Sequence, residues 1–386
     1  MFSIHIDTAR TWRGGQNQVL LTVTGLRAIG QRAALVVHPD GELRRRASEG
    51  PDVISLAPRS EVDLSAAWRF ARVVKRLQPD VIHAHDPHGV AMASLALSLG
   101  STSAGAGRAP ALVVARRVDF HLKNNSFSRW KHRQVDTFIA ASEAIRRMLV
   151  ADGVPDAKTV TVHEGIDIEH VRAAPPVNIH EVFFLPHHAP VVGNVAALVP
   201  HKGQRHLIEA AHLVVQQVPD ARFIILGEGE LREHLERLVR EHHLEKHVLL
   251  PGFRADVLGC MKTFDLFVMS SVTEGLGTSI LDAMACGKAV IASRTGGIPE
   301  VVDDGVTGLL VEPRDHHALA TAIVTMLKDP ARRRAMAAAG LARVSERFSV
   351  ERMVAETAGV YARVAGRPHA ADTARLSPQA PQAPRG

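Results

Sequence analysis

Short apolar segments alternate with amphipathic ones along almost the whole chain, and that alternation leaves few folds open. FSIHID, RAALVVH, DVIHAHD, APALVVARR and TFIAAS are apolar runs of strand length. Between them lie segments whose apolar residues recur at helical spacing, such as QNQVLLTVTGLRAIG, closed by Gly30, and DLSAAWRFARVVKRLQP, stopped by Pro79. Strands this uniformly apolar belong to a parallel sheet covered by helices on both faces. The pattern lapses in AAPPVNIHEVFFLPHHAP, residues 173–190, where four prolines fall. It then restarts with the strands VVGNVAAL, ARFIILGEG, HVLLPG, LFVMSS, KAVIAS and GLLVEP and the helices GQRHLIEAAHLVVQQVP and LREHLERLVREHH. The expectation is two Rossmann-like, doubly wound α/β domains in tandem, with a ligand cleft between them. The predicted boundaries are a first domain over 1–175, a linker over 176–190 and a second domain over 191–349. A closing helix over 350–366 is expected to pack back on the first domain, and the Pro/Ala/Gln-rich tail 367–386 to be disordered.

Several classes of function fall away at this stage. No run of eighteen apolar residues is present, and MFSIHIDTARTWRGG lacks the basic start and apolar core of a signal peptide. Two cysteines without a CxxC are expected to be reduced thiols in a cytoplasmic protein. The net charge of +6 suits an acidic partner such as a nucleotide, an anionic membrane or nucleic acid. Among the 22 histidines, the pairs His187-His188 and His242-His243 fit no metal-ligand spacing, so no metal is expected. Gly227-Glu228-Gly229 follows a strand, but the third glycine of a dinucleotide fingerprint is replaced by Arg232, and no phosphate-binding P-loop sequence occurs.

The most informative stretch is FDLFVMSSVTEGLGTSILDAMACG. A strand runs into a glycine-rich turn that opens a helix, with seven residues between Glu274 and Asp282. Gly275 and Gly277 permit close backbone approach, and the amides of Leu276, Thr278 and Ser279 at a helix start form a ready phosphate site. Glu274 is placed to meet a polar or cationic part of a ligand, and Asp282 to meet hydroxyls beside the phosphate. The same spacing also suits ordinary capping and surface acids. In ARRVDFHLKNNSFSRWKHRQ, Arg116, Arg117, Lys123, Arg129, Lys131 and Arg133 interleave with Phe120, Phe127 and Trp130, opposed locally only by Asp119. That mixture suits an anionic lipid surface, an acidic acceptor or a solvated loop. It carries no RNA-binding signature, and nucleic acid is not expected as a partner.

The segment from Glu274 through GGIPEVVDDGVTGLLVEPRD, together with VPHKGQRHLIEAA, ARFIILGEGELR, RGGQNQVLL and DVIHAHDP, resembles the retaining glycosyltransferases of family 4. The likeness spans about residues 1–366 and is strongest over 191–315. It implies a GT-B fold, a nucleotide-sugar donor held by the second domain, and no cofactor or metal. By position, it implies that Glu274 and His85 lie at the transferring sugar, that Asp282 holds the ribose, and that Lys202 faces the diphosphate. Gly275, Leu276, Gly277, Thr278, Ser279 and Gly227 would complete the donor site. Gly14, Gly15 and Gln16 would form a loop admitting phosphate or acceptor, and Arg116 and Arg117 would lie on the acceptor side. Two positions depart from the family pattern. Ala197 stands where an arginine is usual, with Arg205 or Arg254 as candidate substitutes, and Asp282 stands where Glu is usual, shortening the reach by about 1.5 Å. The expected acceptor is a glycan or lipid-linked hydroxyl in cell-envelope synthesis, reached from the cytoplasm with a peripheral membrane contact left open. A nucleotide-sugar epimerase and a catalytically silent scaffold on the same fold are the competing readings.

Overall fold

The computed structural model of the chain describes residues 1–47, 52–100 and 109–366; the tail 367–386 lies outside the described residues. Its strands form two parallel sheets. The first comprises β1 (Phe2–Asp7), β2 (Arg32–Val37), β3 (Val53–Ser55), β4 (Val81–Ala84), β5 (Ala111–Arg116), β6 (Thr137–Ala140) and β7 (Thr159–Thr161), in the order β3-β2-β1-β4-β5-β6-β7. The second comprises β8 (Val191–Val195), β9 (Arg222–Leu226), β10 (Val248–Gly252), β11 (Leu266–Met269), β12 (Val290–Ser293) and β13 (Gly308–Val311), in the order β10-β9-β8-β11-β12-β13. In each sheet the winding reverses beside the first strand, at β1/β4 and at β8/β11. Loops leaving the carboxyl ends of such a strand pair diverge and leave room for a ligand.

By internal contact the chain divides into two units. Of the described residues, one unit comprises those up to Ala115, Lys123–Phe138 and those from Val354 on; the other comprises Arg116–Leu122 and Ile139–Met353. The second unit shows why its strands read as continuous apolar runs. Val192, Phe223, Ile225, Val268 and Ile291 point into one core with Leu207, Leu235 and Ile323. Their alternate neighbours Val191, Ile224, Phe267, Met269 and Ala292 point into another with Ile280, Met284, Val344 and Phe348. Both faces of β8, β9, β11 and β12 are therefore covered. In the first unit β1 is buried throughout but not apolar throughout. Ser3, His5 and Asp7 alternate with Ile4 and Ile6, and Tyr361 of the Val350–Val364 helix is fully buried.

Two local expectations need correction. The segment read as a linker contains a helical turn, Ile179–Val182, anchored by a fully buried Ile179. The loop expected at Gly14 and Gly15 is the first turn of the helix Gly14–Ala28, because Gln16 Oε1 accepts a hydrogen bond from the Arg13 amide at 3.1 Å and so starts the helix early. Phe267 occupies the middle of β11 with no exposure. Phe267→Ala is expected to cost about 3–5 kcal/mol of stability, measured by denaturant unfolding.

Candidate active site

In the second unit the loops after β8 and β11 meet. From β8 the chain passes Ala197 into the short turn Pro200–Lys202 and then the helix Gln204–Val215, while from β11 it passes Ser270 to Gly277 into the helix Thr278–Ala285. Backbone contacts join the loops. The Val272 amide donates to the His201 carbonyl at 2.8 Å, and Ser270 Oγ donates to the Lys202 carbonyl at 3.3 Å. Gly203 has φ of 63°, and a Cβ there would sit 2.2 Å from the Ser270 carbonyl oxygen. Gly296 has φ of 53°, and a Cβ there would sit 1.7 Å from the Glu274 carbonyl oxygen, so no side chain fits either place.

This frame sets Lys202 Nζ 2.6 Å from Glu274 Oε2, and Ser271 Oγ donates to the same oxygen at 2.9 Å. Both partners are largely buried, with side chains 19% and 10% exposed. Beside them Arg117 Nε lies 3.1 Å from Glu164 Oε1. Burial lifts the Glu164 carboxyl to about 7; Arg117 and Lys202 oppose that shift, and the like charge of Glu274 adds to it. Two helices start at this cluster, N-capped by Gly203 and Gly277, and no side chain caps either one. Their first-turn amides and the positive ends of their dipoles are suited to an anion. The arrangement can hold a diphosphate-like group against Lys202 while Glu274, fixed by two donors, faces a polar neighbour.

The other sequence-identified residues are placed as follows. Asp282 sits one turn into the Thr278–Ala285 helix, partly exposed, and among the described residues none donates a hydrogen bond to its carboxyl. Burial pushes that carboxyl up to about 7. Gly275 lies against the Arg117 carbonyl, and Gly227 against the Ala196 carbonyl. The Leu276 side chain is in the core, while Thr278 and Ser279 form the first helical turn. Arg205 is held by Glu209 at 2.8 Å, and Arg254 by Asp256 through two bonds of 2.7 and 2.5 Å. Neither meets Lys202 or Glu274. Arg116 donates to the Phe120 carbonyl.

In the first unit Gln16 Nε2 donates to the Asp7 carboxylate at 3.1 and 3.3 Å, and a Cβ on Gly15 would meet nothing within 4 Å. His85, just past β4, has Nε2 3.0 Å from His5 Nδ1. The basic stretch is opposed by more than Asp119: Lys123 and Lys131 both pair with Glu61, at 3.6 and 3.2 Å.

The family described as "Glycosyl transferases group 1" matches residues 178–343, and "Glycosyltransferase Family 4" matches residues 12–170. The chain belongs to the group 1, family 4 glycosyltransferases. It is 26% identical over 306 residues to the N-acetyl-alpha-D-glucosaminyl L-malate synthase of Bacillus anthracis, covering 78% of each chain. Over 160 residues it is 40% identical to a GDP-mannose-dependent alpha-(1-6)-phosphatidylinositol monomannoside mannosyltransferase of Mycolicibacterium smegmatis, covering 39% of this chain and 42% of that one. Its fold matches the Anabaena protein Alr3699/HepE, solved in complex with UDP-glucose, with a TM-score of 0.81 at 23% identity, covering 94% of this chain and 100% of that one. The two parallel-sheet α/β domains are those of a GT-B glycosyltransferase, and the enzyme is a sugar transferase.

Two members of this glycosyltransferase's cluster were not found from sequence, Glu164 and Ser271. Glu164 follows a strand too short to be recognised, so its signal, an acid and a glycine after a parallel strand, carried no weight. Asp282 gives a pH test. Its folded value lies above its ordinary one of 3.8, so the unfolded chain releases the proton first, and stability declines as pH rises from about 4 through 7. Asp282→Asn removes that decline. The variant is expected to gain on the parent by about 1–3 kcal/mol between pH 4 and 8 without ligand, measured by denaturant unfolding across that range.

Proposed function

We propose that the enzyme is a retaining, metal-independent glycosyltransferase. It moves a sugar from a nucleotide-sugar donor to a hydroxyl of a glycan or lipid-linked acceptor in cell-envelope polysaccharide, lipopolysaccharide or glycolipid synthesis. The observation that carries this reading is the Lys202–Glu274 pair between two helix starts that no side chain caps. A departing nucleoside diphosphate gains negative charge, and Lys202 with the first-turn amides would meet it where no divalent ion does. The C1–O bond to phosphate breaks as the acceptor oxygen bonds C1 on the same face, and the acceptor's proton passes to the departing phosphate. Glu274, oriented by Lys202 and Ser271, stabilises the positive sugar ring. Asp282 accepts from the ribose hydroxyls, a role that suits a carboxyl to which none of the described residues donates. Arg205 and Arg254 pair with Glu209 and Asp256 and meet neither Lys202 nor Glu274. Arg117 pairs with Glu164, a carboxyl that feels both Lys202 and Glu274, and by that placement it is the cation that stands in for the arginine replaced by Ala197.

The acceptor side draws on the exposed Val118 and Phe120 in the basic stretch, apolar groups suited to a lipid-linked substrate at an anionic, inner membrane face. Among the described residues no helix is long and apolar enough to cross a membrane. The complexes of Alr3699/HepE with UDP and with UDP-glucose support a nucleotide-sugar donor for this fold.

A panel of UDP-, GDP- and ADP-sugars, screened for binding and slow hydrolysis, is expected to give at least one ligand, and no binding at millimolar levels would sink the proposal. Lys202→Ala is expected to weaken that ligand by about tenfold or more, and Asp282→Ala by less, because the lysine meets formal charge and the acid meets neutral hydroxyls. Equal losses in calorimetry would refute the assignment.

A further inference from the structure

The first unit carries a cluster that the proposed transfer does not require. β1 and β4 pair in parallel with His5 opposite His83, and the chain stays in the ladder one step further, where the His85 amide donates to the Ile6 carbonyl at 2.9 Å. Side chains of paired residues share a face, and so do residues two apart on one strand. His5, His83 and His85 therefore stand together on one face of the sheet, at the point where its winding reverses. His5 and His83 are buried, and His85 is partly exposed at the rim. One ring nitrogen from each lies within 4.8 Å of one from each of the others.

The hydrogen bonds around the cluster select which nitrogens face inward. His5 Nε2 lies 3.1 Å from Ser3 Oγ, which turns Nδ1 toward His85 Nε2, 3.0 Å away. His83 Nδ1 lies 2.5 Å from Tyr361 Oη, which makes Nε2 the nitrogen able to meet a metal. Metal-binding imidazoles commonly engage their remote N–H with a polar partner that fixes tautomer and ring angle. Here two hydroxyls are in that position. Tetrahedral zinc with bonds of about 2.0–2.1 Å needs its nitrogens about 3.3 Å apart, a few tenths beyond the present His5–His85 separation.

We propose that His5, His83 and His85 form a binding site for a divalent transition metal of the zinc class, with Ser3 and Tyr361 orienting the two buried ligands. Three neutral imidazoles favour Zn²⁺, Co²⁺, Ni²⁺ or Cu²⁺ over the oxygen-seeking Mg²⁺ and Ca²⁺. Three protein ligands leave one position open at the rim beside His85. The ion takes no part in the transfer proposed above, and its binding is read without donor, acceptor or turnover, so either proposal can fail alone.

The test uses the metal-free full chain, titrated with Co²⁺ for visible absorption and with Zn²⁺ against a chromophoric chelator. One equivalent is expected to bind, with the intense bands of a four- or five-coordinate cobalt site. His85→Ala, at a partly exposed position where folding is checked by circular dichroism, is expected to abolish the bands and weaken Zn²⁺ by at least a hundredfold. Tyr361→Phe is expected to weaken Zn²⁺ by about tenfold, in line with the loss of an outer hydrogen bond to a ligand. Unchanged affinity and spectrum in His85→Ala would overturn the proposal. So would bands that vanish in His187→Ala or His188→Ala instead, since they would place the ion elsewhere among the histidines.

Discussion

The second unit turns on one ion pair. Lys202 and Glu274 come from loops 72 residues apart, and they meet because β8 and β11 are adjacent parallel strands whose carboxyl ends release both loops on the same side. Breaking a largely buried pair strands the other charge, a cost of about 3–5 kcal/mol, so neither side chain is free to turn away. The pair also holds Glu274 in one rotamer before any ligand arrives. An anion that draws on Lys202 still leaves Glu274 its bond from Ser271.

Positioning of this kind needs a rigid backbone, and the glycines supply it by bringing main chain against main chain. Gly203 abuts the Ser270 carbonyl, and Gly296 the Glu274 carbonyl. The Gly297 amide donates to that same Glu274 carbonyl at 3.2 Å, and Thr295 Oγ1 donates to Val272 at 3.0 Å. Asp282 is held differently. It rides on a regular helix with apolar neighbours, so its position is fixed although none of the described residues donates to its carboxyl.

Much of this was legible in the sequence because it repeats or is local. Two-sided burial makes continuous apolar strands, so the central strands of both sheets and the turn after Glu274 could be read directly. β3 and β7 escaped because each is a three-residue edge strand, too short to show a period. The helical turn Ile179–Val182 escaped because prolines on either side outweighed a single buried isoleucine. Lys202 and Glu274 could be identified from the motif, but their contact could not, since it depends on strand order. The partners Glu164 and Glu61 are invisible to any local window: each lies tens of residues from the cation it meets. The histidines of β1 and β4 also look unremarkable until the register sets His5 opposite His83.

The two lysines at Glu61 bear on how this protein would respond to salt. Lys131 is 5% exposed as a side chain and Lys123 is 76% exposed, yet they share one carboxylate. Mobile ions screen exposed charges over about 8 Å at physiological ionic strength and reach buried ones poorly. Raising the salt would therefore loosen Lys123 and leave Lys131 in place, keeping Glu61 neutralised. The long-range field of the basic stretch is then set by its outer residues, and a charge count along the sequence overstates the attraction that salt can switch off.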